Sequence, residues 1–469
     1  GNGFAPYKNL LTHGFVLDEH ERKMSKSLGN ILEPSMVING GRTKPREIIE
    51  EPTVVADAAA EGNDGDNAKK KKKKKQKRIK VKAVNWPAYG VDVLRMWVAS
   101  TDFTHDVVIG PTNVKKVSEA LRKIRNTARF ILGNLDSSKE NAVDFSNENK
   151  INVDVDSLSP LDSLMIYRLE TFIQETAIAY ENFNYRKVFD LVQQMISNDL
   201  SAFYMDVSKD RLYCDDKNDL KRKQCQDVLV YTLKALLAVV APIAPFTCED
   251  IYQYYIIDNN KNEKSDNQKM EYVDKDTGKG TGVYDVNSVF QNLQWPSLSN
   301  TSSSDRKSNI LNGWKIISAT RDATKRQIEN IRKEDIIELG DDLEAKVHIS
   351  IISSKNENVA SKAFLLFNND LEDIFGTSQV TVEYKNIANM SDAAESNSTA
   401  YSEVVNISNE VNIVVVVDQA DGDKCLRCWK YSPSVEEVDL EQVIISDDSD
   451  DNDSMVPLCP RCKEIVCGC

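Results

Sequence analysis

The chain has 469 residues, of which 41% are hydrophobic and 28% are charged, and its formal net charge is −14. This composition is typical of a folded protein of about three domains and excludes a wholly disordered chain. No segment approaches the ~20 apolar residues of a membrane-spanning helix, so we expect no membrane partner, and the negative charge argues against a generally basic nucleic-acid-binding surface.

The N-terminal segment begins with Gly1 instead of Met, so we expect it to lie inside a longer protein. Residues 7–17 have a strand-like composition and lead into a polar turn. Residues 38–85 are of low complexity and include the lysine run 69–75, which predicts a solvated insertion. Order is predicted to resume at residues 90–100, GVDVLRMWVAS.

The middle of the chain, residues 114–257, has helical periodicity. Apolar residues recur three and four positions apart, the period of a helix that buries one face, over three stretches: 114–135, 161–183 and 186–205. A further apolar helix over 225–241 is predicted to stop at Pro242, and Pro245 restarts the chain in a short helix. Together these patterns predict an antiparallel helical bundle.

The last third mixes both types of element. Residues 258–309 are rich in Asn, Asp, Lys and Ser, which predicts insertions, and a long helix is predicted over 310–334. Beyond it the sequence predicts a small α+β unit, whose elements are strands at 345–351, 379–384 and 411–417 and a helix at 361–374.

The most informative segment is a loop rich in lysine and serine. Its residues are Lys23, Met24, Ser25, Lys26 and Ser27. Two ammonium groups three residues apart, with hydroxyls close by, can surround a triphosphate. The spacing alone favours an exposed basic turn, which is what most segments with this lysine spacing are, so the surrounding sequence has to distinguish the two.

The surrounding sequence resembles class I aminoacyl-tRNA synthetases. GFVLDEHERKMSKSLGN is similar to their signature loop, and GVDVLRMWVASTDFTHDVVIG, AYENFNYRKVF and APIAPFTCEDIY resemble isoleucyl-tRNA synthetases in order and spacing. The tail resembles the bacterial and organellar branch of that family. The HxGH-type motif of the family is absent, because none of His13, His20, His105 and His348 has that spacing, and no editing domain is found. The resemblance therefore implies the C-terminal half of such an enzyme.

The resemblance implies a multidomain chain: the end of a Rossmann-like α/β catalytic domain, an all-α anticodon-binding bundle, a small α+β unit and a zinc-binding module. The expected divisions are the end of the nucleotide-binding fold (1–37), a lysine-rich insertion (38–85), a connecting region (86–113), the bundle (114–257), an insertion-rich linker (258–309), the α+β unit with its long helix (310–418) and the zinc-binding tail (419–469).

The resemblance also implies an activity, the ligation of isoleucine to tRNA(Ile) through isoleucyl-adenylate, with ATP and Mg²⁺. Residues 23–27 would bind ATP, and Lys23 and Lys26 would be catalytic, with Lys26 chiefly stabilising charge on the departing pyrophosphate. We expect a monomer in the mitochondrial matrix, with the cytoplasm as the alternative, and no activity from this part alone. The alternatives are a valyl- or leucyl-tRNA synthetase, or a non-catalytic accessory protein that binds tRNA and zinc.

Two CxxC pairs in the tail predict a metal site. Four thiolates, from Cys425, Cys428, Cys459 and Cys462, complete the tetrahedral sphere of one structural zinc ion. A redox pair or unrelated core cysteines remain alternatives, and Cys467 or Cys469 could compete as ligands. The three remaining cysteines, Cys214, Cys225 and Cys248, are predicted to be ordinary core thiols.

Cationic residues in two places are candidates for tRNA contact. The first group, on the helix at 114–135, comprises Arg122, Lys123, Arg125 and Arg129. The second group, beside the cysteine pairs, comprises Arg427, Trp429, Lys430 and Arg461. The helix face fits a merely solvated surface as well, Trp429 could instead pack over the zinc site, and the role of the run at 69–75 is left open.

Overall fold

The computed structural model describes the chain in the following ranges: 7–42, 46–49, 78–81, 85–135, 150–151, 155–260, 269–273, 280–285, 288–292, 295, 297–298, 304–334, 339–353, 358–386, 402–408, 411–439 and 455–468.

The N-terminal part consists of short strands and two helices. The strands are β1 (Val16–Leu17), β2 (Gly41–Arg42), β3 (Arg46–Ile49), β4 (Arg78–Val81), β5 (Asn85–Trp86) and β6 (Val107–Val108). The helices are α1 (Pro34–Asn39) and α2 (Val91–Ser100). β1 pairs in parallel with β6, whereas β2 pairs with β5 and β3 with β4 in antiparallel fashion.

Two predictions for this part need correction. The predicted strand at 7–17 is wrong except for its last two residues, because residues 7–15 have no strand partner and are largely exposed. The predicted insertion at 38–85 is not a plain loop at its edges, because β2 and β3 pair with β5 and β4 across it. The lysine run at 69–75 lies outside the described residues. The predicted return of order at 90–100 is confirmed, and the structure shows it to be helix α2.

The helical bundle follows the predicted periodicity closely. Its helices are α3 (Pro111–Asn134), α4 (Pro160–Glu181), α5 (Tyr185–Gln194), α6 (Met205–Val207), α7 (Lys209–Cys214), α8 (Leu220–Val240) and α9 (Pro245–Asn260). The apolar stripe of α3 is buried against the rest of the core, as its three- and four-residue spacing predicts. None of the helices in the described ranges is long and apolar enough to cross a lipid bilayer.

One stretch of the bundle departs from the predicted period. Residues Met195–Tyr204 form a π-helix between α5 and α6, with five-residue hydrogen-bond spacing, where the sequence predicts a regular α-helix. Leu200 and Tyr204 are buried inside this π-helix, so its wider turn still presents an apolar face to the core.

Helix α2 attaches the N-terminal part to the bundle. A carboxylate oxygen of buried Asp92 accepts hydrogen bonds from the backbone N–H and the hydroxyl of Thr247, at 2.6 and 2.7 Å, in the first turn of α9. This contact satisfies a backbone donor that a helix start leaves free. Arg95 donates to the carbonyls of Pro242 and Ile243 at the turn before α9. The two polar residues therefore hold α2 against the α8–α9 turn.

The α+β unit is a four-stranded sheet covered by a long helix. Its elements are α11 (Ser304–Glu334), β11 (Ala345–Ser353), α12 (Val359–Leu366), α13 (Leu371–Phe375), β12 (Gln379–Asn386), β13 (Ser402–Ser408) and β14 (Val411–Gln419). The strand order is β12-β11-β14-β13, with only β11 and β12 parallel. Helix α11 packs against β13, β14 and α12.

The α+β prediction is right in outline and wrong in two details. The predicted helix at 361–374 is two helices separated by a 3₁₀ turn at Asn368–Asp370. The edge strand β13 was not predicted, and its half-exposed alternation gives it a weaker apolar signal than the central strand β14 has.

Short elements complete the described chain. β7 (Lys150–Ile151) lies between α3 and α4, and a 3₁₀ turn (Asp342–Glu344) lies between α11 and β11. Those between the bundle and the α+β unit are β8 (Lys269–Val273), β9 (Gly280–Asp285), α10 (Val289–Asn292) and β10 (Ser297–Leu298). Those of the tail are β15 (Asp423–Lys424), β16 (Tyr431–Ser432), β17 (Glu436–Asp439), β18 (Met455–Leu458) and α14 (Pro460–Cys467).

Candidate nucleotide-binding loop and metal centre

The lysine–serine loop is closed at its base by Asp18 and Asn30, both buried. The carboxylate of Asp18 accepts hydrogen bonds from the backbone N–H groups of His20 and Arg22 and from the side chains of Arg22 and Asn30. Burial alone would raise the pKa of Asp18, but these hydrogen bonds lower it below its usual value. The carboxylate therefore stays charged and binds both ends of the loop.

Asn30 also organises the interior of the loop. Its amide oxygen accepts from the backbone N–H of Ser25 at 2.8 Å, and its amide nitrogen donates to the carbonyl of Lys23 at 3.1 Å. The Ser25 hydroxyl in turn accepts from the backbone N–H of Leu28, and Gly29 adopts a positive φ of 62° that favours glycine. The backbone around the two lysines is thus shaped by a network within residues 18–30.

The side chains of the loop divide into one anchor and two exposed cations. Met24 is half-buried and packs against the main hydrophobic core, whereas Lys23 and Lys26 are exposed. The Lys23 ammonium lies 4.2 Å from the centroid of the Phe15 ring, a cation–π distance. The hydroxyls of Ser25 and Ser27 lie 3.1 Å apart. The loop therefore carries two exposed ammonium groups and two neighbouring hydroxyls, the kinds of donor that bind phosphate oxygens.

Strand β1 ties this loop to the start of the bundle. The backbone N–H of Phe15 donates to the carboxylate of Asp106 at 2.7 Å, and β1 pairs with β6, which leads directly into α3. The backbones approach closely here, since a Cβ on Gly14 would lie 2.2 Å from the carbonyl carbon of His105. Only glycine fits at position 14.

The four predicted cysteines converge in the tail. The sulfur atoms of Cys425, Cys428, Cys459 and Cys462 all lie within 4.8 Å of one another, and Cys425 and Cys462 are buried. Hydrogen bonding from the thiol of Cys462 lowers the pKa of Cys428 to about 5, so the cluster favours a thiolate. Cys467 packs beside the cluster but is not a member of it, and Cys469 lies outside the described residues.

The other three cysteines are buried, as the sequence predicts for core thiols. Burial raises the pKa of Cys248 and of Cys225, which keeps both thiols neutral. Burial likewise raises the pKa of Cys214 to about 12. None of the three belongs to the four-cysteine group among the described residues.

The cations beside the cysteines bind acids of the same chain. Arg461 contacts both carboxylate oxygens of Asp210, at 2.7 and 2.8 Å, and Asp215 at 2.9 Å. The Lys430 ammonium lies 3.3 Å from Asp210 and 3.0 Å from Asp373. Burial would raise the pKa of Asp210, but Arg461 and Lys430 lower it to about 2. The sequence predicted tRNA contact for these two cations, and the structure shows a different use, while tRNA contact stays a prediction.

Arg427 and Trp429, which flank Cys428, differ in their exposure to solvent. Arg427 is half-buried and donates to the carbonyl of Cys214 and, at 3.5 Å, to the sulfur of Cys462. Trp429 is 57% exposed and borders a cavity of about 570 Å³, which Tyr213 also lines. This exposure favours a ring that faces solvent, and the packing of Trp429 over the zinc site stays an alternative prediction.

The basic residues of α3 lie on its exposed face. Arg122 pairs with Glu119 at 2.6 Å, Arg125 pairs with Asp250 at 2.8 Å, and Lys123 donates to the hydroxyl of Ser197 at 3.3 Å. Arg129 is exposed as well. Exposed ion pairs of this kind contribute little to stability and exchange readily for phosphate contacts, so the face is available to an anionic partner.

Sequence reasoning missed the residues that hold both sites in place. Asp18 and Asn30 each flank the loop as unremarkable polar residues, and only the fold shows that they meet. Asp210 and Asp215 lie more than 200 residues before the cysteines of the tail, so no local pattern connects them.

Comparison with known proteins agrees with this geometry. A family model described as tRNA synthetases class I (I, L, M and V) matches residues 2–110, and one described as the anticodon-binding domain of tRNA ligase matches residues 162–349.

The chain is also similar to individual characterised proteins. The chloroplastic/mitochondrial isoleucine–tRNA ligase of Arabidopsis thaliana is 33% identical over 439 residues, which are 92% of this chain and 33% of that protein. The isoleucine–tRNA ligase of Gloeobacter violaceus is 31% identical over 466 residues, 99% of this chain and 36% of that protein. The isoleucine–tRNA ligase of Rippkaea orientalis is 33% identical over 467 residues, 100% of this chain and 38% of that protein. The chain thus spans about a third of the length of these relatives, rather than the half that the sequence led us to expect.

Proposed function

The chain belongs to the isoleucine–tRNA ligase family, and on that premise we propose that it is the portion of such an enzyme that closes the ATP site and binds tRNA(Ile). It comprises part of a class I synthetase catalytic domain followed by a largely helical anticodon-binding domain. The complete protein would use ATP, with Mg²⁺, to form isoleucyl-adenylate and then esterify tRNA(Ile). The division into segments at 37, 85, 113, 257, 309 and 418 is part of the proposal.

The observation that carries this proposal is the loop closed by Asp18 and Asn30. When the isoleucine carboxylate attacks the α-phosphate, negative charge moves onto the departing pyrophosphate. Donors aimed at that developing charge lower the barrier, whereas donors that bind ATP and the transition state equally do not. Lys26 is exposed and has the charge for this role, and Lys23 and the hydroxyls of Ser25 and Ser27 support it.

The four-cysteine cluster fits a structural zinc ion. Tetrahedral zinc with Zn–S bonds of about 2.3 Å places its sulfur ligands about 3.8 Å apart. The sulfurs of Cys428 and Cys459 lie 3.8 Å apart, and the whole group lies within 4.8 Å. Four thiolates leave no position open, so the ion would stabilise the fold and take no part in the reaction. In the described parts of the tail, 419–439 and 455–468, the buried apolar side chains besides the cysteines are Val438 and Leu458. Metal ligation would therefore supply much of the folding energy of the tail.

Two surfaces would contact the tRNA. The exposed basic face of α3 lies directly after β6, so the proposed phosphate track begins beside the proposed ATP loop. Trp429 supplies an exposed aromatic face beside a cavity large enough for a nucleobase, and unpaired bases stack on such side chains. Arg427, Lys430 and Arg461 already bind groups of the same chain, so they would contact RNA only through the donor atoms that these internal contacts leave accessible.

The proposed location is the mitochondrial matrix. Support comes from the relative in Arabidopsis thaliana, which is a chloroplastic/mitochondrial enzyme. A cytoplasmic location is the alternative. A monomer is proposed on the basis of the family resemblance alone.

The function is tested by isoleucine-dependent ATP–pyrophosphate exchange in the complete protein. We expect exchange with isoleucine and little with valine or leucine. Lys26→Ala should lower the rate about a hundredfold, the effect of removing one donor worth about 3 kcal/mol to developing charge. Lys333→Ala, at an exposed lysine at the end of α11, is the matched control and should leave the rate unchanged. Absence of exchange in the complete protein would favour a non-catalytic tRNA-binding accessory protein, and preference for valine or leucine would favour one of the related synthetases.

A further inference from the structure

Three cations of the tail stand next to the cysteines that could bind the metal. Arg427 and Lys430 lie on either side of Cys428 within the first cysteine pair and its turn, and Arg461 directly precedes Cys462. The turn between them is tight, since the backbone N–H of Cys425 donates to the carbonyl of Lys430. Whatever fixes the cysteine sulfurs therefore also fixes where these three cations point.

The partners of these cations come from two separate parts of the fold. Asp210 lies on α7 of the bundle, Asp215 directly follows α7, and Asp373 lies on α13 of the α+β unit. We call these three carboxylates the acidic patch. Their side chains are between 11% and 16% exposed, and within the described ranges the cations paired with them all come from the tail.

The contact between the tail cations and the acidic patch consists of short, directional hydrogen bonds and ion pairs. Arg461 spans Asp210 and Asp215 through three bonds of 2.7 to 2.9 Å, and Lys430 joins Asp210 to Asp373. Lys430 therefore connects the bundle to the α+β unit through one ammonium group. Charge-assisted contacts of this geometry are stronger than ordinary surface pairs because burial reduces their screening.

Arg427 connects the same surface to the cluster itself. Its guanidinium donates to the carbonyl of Cys214, at the end of α7, and to the sulfur of Cys462. One side chain thus touches both a proposed metal ligand and the bundle. Donors to a metal-bound sulfur position the ligand and are themselves positioned by it.

We propose that the four-cysteine module is a metal-dependent latch: with the metal bound, Arg427, Lys430 and Arg461 form one rigid cationic surface that holds α7 of the bundle against α13 of the α+β unit through the acidic patch. The latch goes beyond the proposed function, because it depends on no ATP and no tRNA. Without the metal, the cysteine pairs separate, the three cations lose their common arrangement, and the carboxylates of the patch repel one another.

The test compares amide hydrogen exchange in the 469-residue chain with and without metal, together with two variants. Chelation of the wild-type chain should accelerate exchange in 209–214 and 371–375 as well as in the tail. Arg461→Ala should accelerate exchange in 209–214 by roughly tenfold, since it removes charge-assisted hydrogen bonds, while the metal content stays the same. The matched control is Lys463→Ala, because Lys463 is as close to Cys462 as Arg461 but pairs with Glu436 inside the tail at 2.8 Å. It should leave 209–214 unchanged.

A second variant covers the case in which Arg461→Ala loses the metal. Asp210→Asn lies outside the tail and should accelerate exchange in 425–430 and 460–467, or weaken metal binding, since coupling between two sites is reciprocal. The latch is wrong if chelation removes the metal but leaves 209–214 and 371–375 unchanged. It is equally wrong if Asp210→Asn alters neither the exchange of the tail nor its affinity for zinc. Both measurements, hydrogen exchange and zinc affinity, are independent of catalysis, so a negative result in the pyrophosphate-exchange assay would not change the conclusion on the latch.

Discussion

The side-chain amide of Asn30 donates to the carboxylate of Asp18 across 3.1 Å, and this bond joins two residues that are twelve positions apart in the sequence. The same amide group binds the backbone on the inner side of the loop, at Lys23 and Ser25. Two exposed lysines are therefore carried on a backbone whose base is buried and cross-linked. A loop built in this way can move about its ends without losing its internal shape.

The first prediction concerns this cross-link. Asn30→Ala in the complete protein should reduce isoleucine-dependent pyrophosphate exchange by roughly ten- to a hundredfold, since leaving a buried carboxylate short of a partner costs about 1–3 kcal/mol. Ser35→Ala, at an exposed serine just beyond the loop, serves as control. An exchange rate equal to that of the control would show that loop closure does not limit the reaction.

The second prediction separates the cysteines by metal content. Cys425→Ser should lose the metal, because a structural zinc site needs all four ligands, while the bundle stays folded. Cys467→Ser removes a thiol that packs beside the cluster without joining it, and it should retain about one zinc per chain. Plasma emission spectrometry of both purified variants decides the matter. Zinc in Cys425→Ser equal to that in the wild type would mean that Cys425 is not a required ligand, and loss of zinc from Cys467→Ser would then place Cys467 in the ligand set.

The third prediction concerns Trp429. If a tRNA base stacks on its exposed ring, Trp429→Ala should weaken tRNA(Ile) binding by about 1–3 kcal/mol, whereas Trp429→Phe should retain most of the affinity. Leu426 is 54% exposed on the same turn and provides a control at Leu426→Ala. Filter binding at fixed salt measures all three. If both alanine variants bind like wild type, the ring contacts no base.

The fourth prediction follows from Asp370, which is 3% exposed and has one carboxylate oxygen without a partner among the described residues. Burial raises the pKa of this carboxyl from 3.8 to about 6, despite the charge of Arg211 nearby. The folded state therefore binds a proton that the unfolded state has released. Its contribution to stability is complete below about pH 4 and is lost as the pH rises through 6.

Asp370→Asn should remove this pH dependence. At pH 7.5 the variant should be more stable by about 2–3 kcal/mol, the equivalent of about two pKa units, and at pH 4 it should match the wild type. Urea unfolding at the two pH values measures the difference. The same gain at both would trace the effect to packing and not to ionisation.

The sequence predicts those parts of the fold that depend on local periodicity. Helix α3 buries the stripe that its apolar spacing requires, whereas α4 and α8 form where they are predicted but bury residues on more than one side. The prolines at 242 and 245 end and restart the chain as expected. The π-helix at Met195–Tyr204 escapes prediction because apolar residues are so frequent there that a period of 3.6 and a wider one fit equally well.

The sequence predicts which residues form the candidate sites better than it predicts the contacts of those residues, because the contacts depend on tertiary folding. The cysteines and the lysines are marked by short spacings, so the sequence identifies them directly. The contacts of Arg461 and Lys430 depend on carboxylates brought together by tertiary folding. The sequence shows only that these cations stand next to cysteines, so it predicts an RNA contact and does not reveal the contact within the chain. Short spacings in the sequence identify the residues with the relevant chemistry, but they do not identify the distant residues that these contact in the folded chain.

The pairing of β3 with β4 has a consequence for how this protein can vary. Because Arg46 lies opposite Val81 and Ile49 opposite Arg78, the chain leaves and returns at neighbouring points. Residues inserted between these strands lengthen the chain without changing the distance between the two strand ends. The entropic cost of closing a long loop is only slightly greater than that of closing a short one. The connection between β3 and β4 should therefore tolerate insertions and deletions of tens of residues, and an epitope tag placed there should leave the remaining fold intact.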